Sequence, residues 1–305
     1  MKIGVKDMPV VPPLQHLLSM KELSPAQIFQ LIERAERLNQ PGDNPSYHGR
    51  FAANLFLEPS TRTKVSFQIA QRKSGFELID LEGRGSSLTK GESLYDTLKT
   101  LESLGVELAV VRQSQTGLLQ HCASHLNLTL INAGDGCGEH PTQSLLDLYT
   151  IYQQFHSFKG LRICIAGDIK HSRVARSNAA ALSRLGAEVY FVSKPEWQDS
   201  AIADHYISMD EAVTHCDVLM LLRIQHERHI HREDTAAYLE QYGLTKEREA
   251  KMDADSIILH PAPVNRGVEI DSDLVESRKS RIFRQMSNGV AVRMAVMDSL
   301  MKGEL

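Results

Sequence analysis

The chain has 305 residues, and its 34 Lys and Arg against 38 Asp and Glu give a formal net charge of −4. Hydrophobic residues make up 42% and charged residues 24% of the chain, which excludes wholesale disorder. Because basic residues are not in excess, neither nucleic acid nor a membrane surface is expected as a partner, and local arginines must hold any anionic ligand. The sequence has neither the ~20-residue apolar run of a membrane helix nor an apolar signal-peptide core, so the expected location is cytoplasmic.

The predicted elements of the first half alternate between short apolar strands and helices. A capping box formed by Ser24 and Gln27, with Pro25 at the first helical position, predicts a helix whose apolar face runs from Ile28 to Leu38. The strands predicted next are 52–57, 78–81, 108–111 and 128–131. The helices predicted around them are 61–73, 93–104, 117–125 and 142–155.

A second series of elements follows the polar link at 156–160. Its predicted strands are 161–166, 189–192, 218–222 and 257–259, and its predicted helix is 173–185. The last predicted helix spans 290–301, with a buried stripe of Val290, Met294, Met297 and Met301.

Continuous apolar strands separated by helices are typical of a parallel sheet covered on both faces. We therefore predict an α/β fold of two domains, each a mainly parallel sheet flanked by helices. Residues 1–150 form the first predicted domain and residues 151–288 the second. The C-terminal helix, at 289–305, is expected to pack back on the first domain.

Polar motifs follow several predicted strands, at the place where open parallel sheets bind ligands. The first is Ser-Thr-Arg-Thr at 60–63, where three hydroxyls, a guanidinium and the N–H groups of a helix start could cradle a phosphate. Simple N-capping would explain one hydroxyl but not the arginine among them. The motif therefore favours anion binding.

Arg112 and the segment 134–143 occupy equivalent places after two later strands. Arg112 is positioned to meet a ligand, although an ordinary ion pair would explain it equally well. His140 and Gln143 are three residues apart at a helix start, so they can point to the same side. Histidine can donate to a developing oxyanion, and glutamine can bind an amide-like group. The alternative is a glycine-rich turn followed by an ordinary cap.

In the second half, Arg173 and Arg223 each follow a strand and offer a guanidinium fork for a carboxylate. The turn His-Pro-Ala-Pro at 260–263 could aim its carbonyls at a ligand, and a cis peptide before Pro263 is plausible. The segment 167–173 lacks G-x-G-x-x-G, which argues against a nicotinamide-dependent dehydrogenase.

Together and in this order, the motifs resemble the aspartate/ornithine carbamoyltransferase family over nearly the whole chain. The segments 60–63 and 140–143 resemble the family as a whole. The resemblance to its aspartate branch rests on the segments 86–92, 167–173, 223–225 and 260–263. The Ser-Met-Gly segment and the cysteine expected of an ornithine enzyme do not occur. Ala262 stands where some relatives carry leucine, and a role of its backbone carbonyl would survive that difference.

The resemblance implies transfer of the carbamoyl group from carbamoyl phosphate to the amine of L-aspartate, an early step of de novo pyrimidine synthesis, without a metal or organic cofactor. It implies catalytic roles for Thr63, Arg112 and His140. The carbamoyl-phosphate ligands that it implies are Ser60, Thr61, Arg62, Thr63, Arg112, His140, Gln143, Ala262 and Pro263. The aspartate ligands that it implies are Lys90, Arg173, Arg223 and Gln225.

The resemblance also implies a homotrimer with shared active sites. By itself the segment 85–92 is typical of a flexible surface loop, but in this family the loop, with Ser86 and Lys90, enters the site of the neighbouring subunit. The sequence leaves open whether regulatory or partner chains bind. Three alternatives stay open: a carbamoyltransferase for ornithine or another amine acceptor, a non-catalytic anion-binding module, and a dehydrogenase.

Overall fold

The computed structural model describes residues 13–82, 91–136, 138–224 and 235–305 of the chain. The predicted site residues Ser86, Lys90 and Gln225 lie outside the described residues. None of the helices in the described ranges is long and apolar enough to cross a membrane.

Two four-stranded sheets, each with all strands parallel, form the centre of the described structure. The first contains β1 (Phe51–Phe56), β2 (Glu77–Glu82), β3 (Val106–Gln113) and β4 (Thr129–Asp135), in the order β2-β1-β3-β4. The second contains β5 (Arg162–Ala166), β6 (Glu188–Val192), β7 (Val218–Leu221) and β8 (Ile257–Leu259), in the order β6-β5-β7-β8. The predicted α/β class and all eight predicted strands are confirmed.

Helices flank both sheets. Those of the first half are α1 (Pro25–Leu38), α2 (Thr61–Lys73), α3 (Leu94–Ser103), α4 (Leu118–Ala123) and α5 (Pro141–Phe155). Those of the second half are α6 (Arg173–Arg184), α7 (Met209–His215), α8 (Thr235–Tyr242), α9 (Lys246–Glu249) and α10 (Ile282–Lys302). Short 3₁₀ helices lie at Met20–Glu22, Pro195–Trp197 and Ser272–Glu276.

The first sheet is buried on both faces. Successive side chains of a strand point to opposite sides, so each strand contributes to the core on either face. On β1, Ala52 and Phe56 join a cluster with α1, α5 and α10, whereas Ala53 and Leu55 join a second cluster with α3 and α4. The helix α5 contacts β4 on one side and α6 on the other. Residues 141–151 of α5 are all buried, so this helix joins the two halves of the protein.

Three short helices, α7, α8 and α9, are absent from the sequence predictions. The start of α7 carries a detectable signal, a capping box of Ser208 and Glu211, but the helix spans only seven residues. The helices α8 and α9 span eight and four residues. Elements this short do not establish a helical period in the sequence.

The C-terminal helix packs against α1, α2 and α5, which confirms the prediction that it returns to the first domain. Its predicted start at 290 is wrong, since α10 begins at Ile282. The triplet at 287–289, Ser-Asn-Gly, has low helix propensity, but packing in the interior overrides propensity. Of the predicted stripe, Met294 and Met297 are buried, and Val290 and Met301 are partly buried against the core; the stripe is too narrow, because residues 291–300 are all buried. Three helices surround α10, so it has no exposed face over this stretch.

Candidate active site

The strand orders define one crevice in each sheet. The chain runs from β1 to β2 on one side and then to β3 on the other, and β5, β6 and β7 repeat this arrangement. In open parallel sheets, ligands bind beyond the carboxyl ends of the strands at such a point. The segments leaving these strand ends carry the predicted motif at 60–63, Arg112, Arg173 and Arg223.

The helix α2 begins just after β1, so its N-terminus lies at the crevice of the first sheet. Ser60 is the N-cap residue, yet its side chain makes no capping hydrogen bond. Lys64 N donates to Ser60 O at 3.0 Å, so the N–H groups between them belong to the first turn, which lacks carbonyl partners within the helix. Thr63 is buried, whereas Thr61 and Arg62 are exposed. Capping by Ser60 is therefore wrong as an explanation of this motif, and the turn suits a phosphate.

Arg112 lies at the end of β3 with its side chain largely buried. Its Nη1 donates to Ala133 O at 3.2 Å, and its Nε lies 3.8 Å from a Glu58 carboxylate oxygen. The pKa of Arg112 is lowered to about 10, chiefly by burial and then by the neighbouring Arg173. Its buried Nε has no hydrogen-bond partner. An ion pair is therefore present, but it is too long to satisfy the guanidinium, which remains suited to an anion.

His140 is the N-cap residue of α5, with Pro141 at the first helical position, and its side chain makes no capping hydrogen bond. It is 5% exposed, and its Nδ1 is buried without a partner. Burial, followed by the charges of Arg173 and Arg112, holds the pKa of His140 well below its usual value. The ring is therefore neutral near neutral pH, and one ring N–H can donate a hydrogen bond.

Gly134 allows Arg112 and Arg173 to approach the same stretch of backbone. Its φ is +123°, and a Cβ at this position would lie 2.9 Å from Arg112 Nη1 and 3.2 Å from Arg173 Cζ. Arg173 is the first residue of α6, and its Nη1 donates to Gly136 O at 2.7 Å. Guanidinium groups from both halves of the protein thus meet at the end of β4.

Arg223 follows β7 and is half-buried. Although Arg62 is exposed, partial loss of hydration and then the charge of Arg223 lower its pKa, and the charge of Arg62 in turn lowers the pKa of Arg112. Five predicted site residues therefore lie within electrostatic range of one another where the two halves meet, and we call this junction the cleft: Arg62, Arg112, His140, Arg173 and Arg223. An excess of like charge in a cleft is typical of a polyanion site.

Gln143 belongs to the first half of the protein and Ala262 to the second. Gln143 N donates to His140 O at 2.9 Å, which places Gln143 on the turn that begins at His140. Ala262 lies in the turn after β8, with a φ of +53°, and the peptide between Ala262 and Pro263 is cis. Gln143 and Ala262 are linked through buried hydrogen bonds of intervening side chains rather than directly. Across the described ranges, His, Cys, Asp and Glu side chains form no group of three that could hold a metal ion.

Three charged residues around the cleft escaped the sequence analysis. Glu58 is the ion-pair partner of Arg112. Arg293 of α10 is buried, and its charge contributes to the lowered pKa of His140. Asp147 of α5 is completely buried. Arg293 and Asp147 each lie within an apolar helical run, which is a signal in the sequence that they are buried. Charged residues are almost never buried without a partner, so this signal also predicts a polar partner for each.

Two parallel-sheet domains that share one cationic cleft define a class of α/β protein able to hold two anionic ligands side by side. Residues 15–153 match the family model described as aspartate/ornithine carbamoyltransferase, carbamoyl-P binding domain. Residues 159–300 match the model described as aspartate/ornithine carbamoyltransferase, Asp/Orn binding domain. The chain therefore belongs to the aspartate/ornithine carbamoyltransferase family.

Individual relatives extend over most of the chain. It is 54% identical to an aspartate carbamoyltransferase catalytic subunit of Oceanobacillus iheyensis, covering 93% of this chain and 92% of the relative. It is 52% identical to the catalytic subunit of the same name from Staphylococcus epidermidis, covering 95% and 100%. Among solved structures, aspartate transcarbamoylase from Trypanosoma cruzi in complex with carbamoyl aspartate and phosphate is similar, with a TM-score of 0.85, 29% identity, and coverage of 92% and 94%.

Proposed function

We propose that the chain transfers the carbamoyl group of carbamoyl phosphate to the amine of L-aspartate, giving N-carbamoyl-L-aspartate and phosphate. The observation that carries this proposal is the cleft in which Arg62 and Arg112 of the first half meet Arg173 and Arg223 of the second. The two products are the ligands named for the trypanosomal structure. The reaction would serve an early step of de novo pyrimidine synthesis.

The phosphate of carbamoyl phosphate binds at the start of α2. The hydroxyls of Ser60, Thr61 and Thr63 and the backbone N–H groups of the first turn donate to its oxygens. Arg62 and Arg112 add charge-assisted hydrogen bonds, which are roughly twice as strong as neutral ones. Binding of a dianion also relieves the repulsion between these guanidinium groups and their neighbours.

Thr63, Arg112 and His140 polarise the carbonyl oxygen of the carbamoyl group. The neutral amine of aspartate attacks the carbonyl carbon, and the resulting oxyanion receives hydrogen bonds from these fixed donors. The bond between the carbonyl carbon and the phosphate oxygen then breaks, and the departing phosphate takes the proton of the amine. Gln143 and the Ala262 carbonyl accept hydrogen bonds from the carbamoyl nitrogen, next to Pro263.

Arg173 and Arg223 bind the two carboxylates of aspartate, and Gln225 and Lys90 are predicted to join them. The first domain, residues 1–150 with the C-terminal helix 289–305, holds carbamoyl phosphate, and residues 151–288 hold aspartate. Holding both substrates in one cleft removes much of the entropic barrier to their reaction. Closure of the two domains would exclude water and protect a labile acyl phosphate from hydrolysis.

Aspartate is favoured over ornithine as the acceptor. Ornithine carries a cationic side chain, which Arg173 and Arg223 would repel, whereas they attract a second carboxylate. The two bacterial relatives are both named for aspartate. A non-catalytic module is disfavoured because the chain is similar to carbamoyltransferase catalytic subunits over more than nine-tenths of its length.

The test is carbamoyl transfer measured side by side with L-aspartate and L-ornithine. We expect turnover with aspartate and none above background with ornithine. Arg62→Ala should abolish most turnover, whereas Arg72→Ala, at the exposed far end of the same helix, is the matched control and should keep it. Turnover with ornithine alone would refute the proposed acceptor, and full activity of the Arg62 variant would refute the proposed phosphate site.

The proposal includes a homotrimer in which the loop with Ser86 and Lys90 completes the site of a neighbouring subunit. Light scattering should give the mass of three chains. Mixing inactive Lys90→Ala chains with inactive Arg62→Ala chains should restore part of the activity, since some hybrid sites contain neither substitution. No recovery in confirmed mixed trimers would contradict shared sites. The cytoplasmic location stays a prediction that cell fractionation would test, and co-purification would test for regulatory or partner chains.

A further inference from the structure

The carboxylate of Asp147 is completely buried. It makes no hydrogen bond to the clustered arginines of the cleft. It receives three hydrogen bonds, each from a side-chain amide N–H. Gln143 Nε2 donates to its Oδ1 at 2.9 Å, Gln285 Nε2 to the same oxygen at 2.8 Å, and Asn178 Nδ2 to Oδ2 at 2.8 Å. The donors belong to α5, α10 and α6, so one carboxylate joins three helices.

The hydrogen bond from Gln143 fixes the orientation of its amide. An ionised carboxylate can only accept, so it must receive the N–H side of the amide. The carbonyl oxygen of Gln143 is then directed away from Asp147. That oxygen is the atom that would accept from a carbamoyl nitrogen, and Asp147 thereby sets which end of Gln143 is offered.

A second series of hydrogen bonds runs from Asp147 to the turn after β8. Gln285 Oε1 accepts from His260 N at 2.9 Å, and His260 Nδ1 accepts from Ala262 N at 2.9 Å. Because a backbone N–H can only donate, Nδ1 is unprotonated and the ring proton is on Nε2, which lies 3.0 Å from Glu269 Oε1. The Ala262 backbone, with its φ of +53°, is thus fastened through two side chains to the same carboxylate.

We infer that Asp147 is a positioning residue, which aligns the two acceptors of the carbamoyl nitrogen, the carbonyl oxygens of Gln143 and Ala262, by anchoring both hydrogen-bond series. This role rests on the proposed function, because the two acceptors matter only if a carbamoyl group binds between them. A buried carboxylate is a poor choice for stability alone, since well-packed apolar residues in the same place are often equally or more stabilising. Burial raises the pKa of Asp147 to about 6, while its three amide donors and Arg293, the charged group facing it from α10, oppose that rise.

The decisive comparison is between Asp147→Ala and Asp147→Asn. The alanine variant loses all three hydrogen bonds, so both acceptors become free to move. The asparagine variant keeps one carbonyl oxygen for Gln143 and Gln285, and its amide can donate to Asn178, whose Oδ1 is buried without a partner. We expect Asp147→Ala to lower kcat by about 100-fold, the usual effect of misplacing a group by 1 Å, and Asp147→Asn to restore most of that loss.

Binding of inorganic phosphate separates positioning from general damage. The phosphate site at the start of α2 does not use Gln143 or Ala262, so the dissociation constant for phosphate should stay within about threefold of the wild-type value in every variant. The matched control is Asn288→Ala. Asn288 also joins α10 to α5, through Thr150 Oγ1 at 2.9 Å and Gln153 Oε1 at 2.8 Å, but it is outside both series. This control should lose stability and keep kcat.

A double variant tests whether Asp147 acts through Gln143. In the Gln143→Ala background, Asp147→Ala should cost clearly less of the remaining kcat than it does alone. If Asp147→Ala does not fold, Gln285→Met provides the second measurement. It breaks the connection to His260 at similar volume and should lower kcat about tenfold with phosphate binding retained.

The outcomes are distinguishable. A wild-type protein with no transfer to aspartate would refute the proposed function together with this role. An active wild type whose Asp147→Ala or Gln285→Met variant keeps kcat would overturn the positioning role alone. An equal loss of kcat in Asn288→Ala, or no recovery in a folded Asp147→Asn protein, would also overturn it.

Discussion

Replacing Arg112 by methionine should stabilise the protein in the absence of ligand. The Arg112 side chain is largely buried near other cations, and its carboxylate partner, Glu58, is 3.8 Å away. The folded protein therefore holds this charge at a cost that only an anionic ligand removes. Methionine keeps most of the volume of the aliphatic stem and carries no charge.

The magnitude follows from the pKa of Arg112, lowered from 12.5 to about 10. At 1.36 kcal/mol per pKa unit, the folded state disfavours the charge by about 3 kcal/mol. The variant also loses the hydrogen bond to Ala133 O, worth roughly 1.5–3 kcal/mol for a charged donor. The free energy of unfolding should therefore not fall, and should rise by up to about 1.5 kcal/mol.

The assay is urea unfolding at fixed protein concentration, in buffer without phosphate and again with phosphate. Phosphate should stabilise the wild type, by about 2.7 kcal/mol at 100 times its dissociation constant, and the variant far less. Arg50→Met is the control, since a hydrogen-bonded ion pair with Glu107 raises the pKa of Arg50 instead. That variant should lose at most about 1 kcal/mol. An Arg112 variant that is less stable than the wild type without ligand, yet still stabilised by phosphate, would refute the reasoning.

Three further predictions follow from the site. His140 should stay neutral, so its imidazole NMR signals should not titrate between pH 6 and 8. Because the pKa of His140 is depressed in the folded protein, the free energy of unfolding should fall as the pH drops through about 6.5, the value in the unfolded chain. Gly134→Ala should displace the Arg112 guanidinium and weaken phosphate binding at least about tenfold, whereas Gly160→Ala, also at positive φ but with open space around it, should bind phosphate normally. The pKa of Asp147 is raised from 3.8 to about 6, so ionising this carboxylate destabilises the folded protein. In urea unfolding, the stability of the wild type relative to Asp147→Asn should therefore decline by on the order of 3 kcal/mol as the pH rises from 4 to 7. A stability difference that does not change with pH would contradict a buried, ionised carboxylate.

The parts of the molecule that were predictable are those encoded over short distances in the sequence. Most strands contain a run of three or more apolar residues, and Arg112 directly follows one such run, so both the sheet and the residue at its end were predictable. The start of α10 was not, because the Ser-Asn-Gly triplet at 287–289 suggests a turn and only contact with α1, α2 and α5 makes it helical.

The support behind the cleft could not be predicted for a related reason. Asp147 is separated by 31 residues from Asn178 and by 138 residues from Gln285. No local spacing rule connects positions so far apart, and an acid within a helix is ordinarily interpreted as part of a solvated face. The residues predicted to touch ligands follow strand ends, whereas those that hold them in place depend on the complete tertiary arrangement.

The return of α10 to the first domain determines the order in which the protein can fold during synthesis. The faces of α1, α2 and α5 that α10 covers stay uncovered while the whole second domain is being translated. The first domain is therefore finished only after the second has emerged, when Leu14 N can donate to Leu305 O and Gln30 can bond to Glu304 O. A nascent chain halted before α10 would leave apolar surface of α1, α2 and α5 uncovered, the kind of surface that makes folding intermediates prone to aggregate.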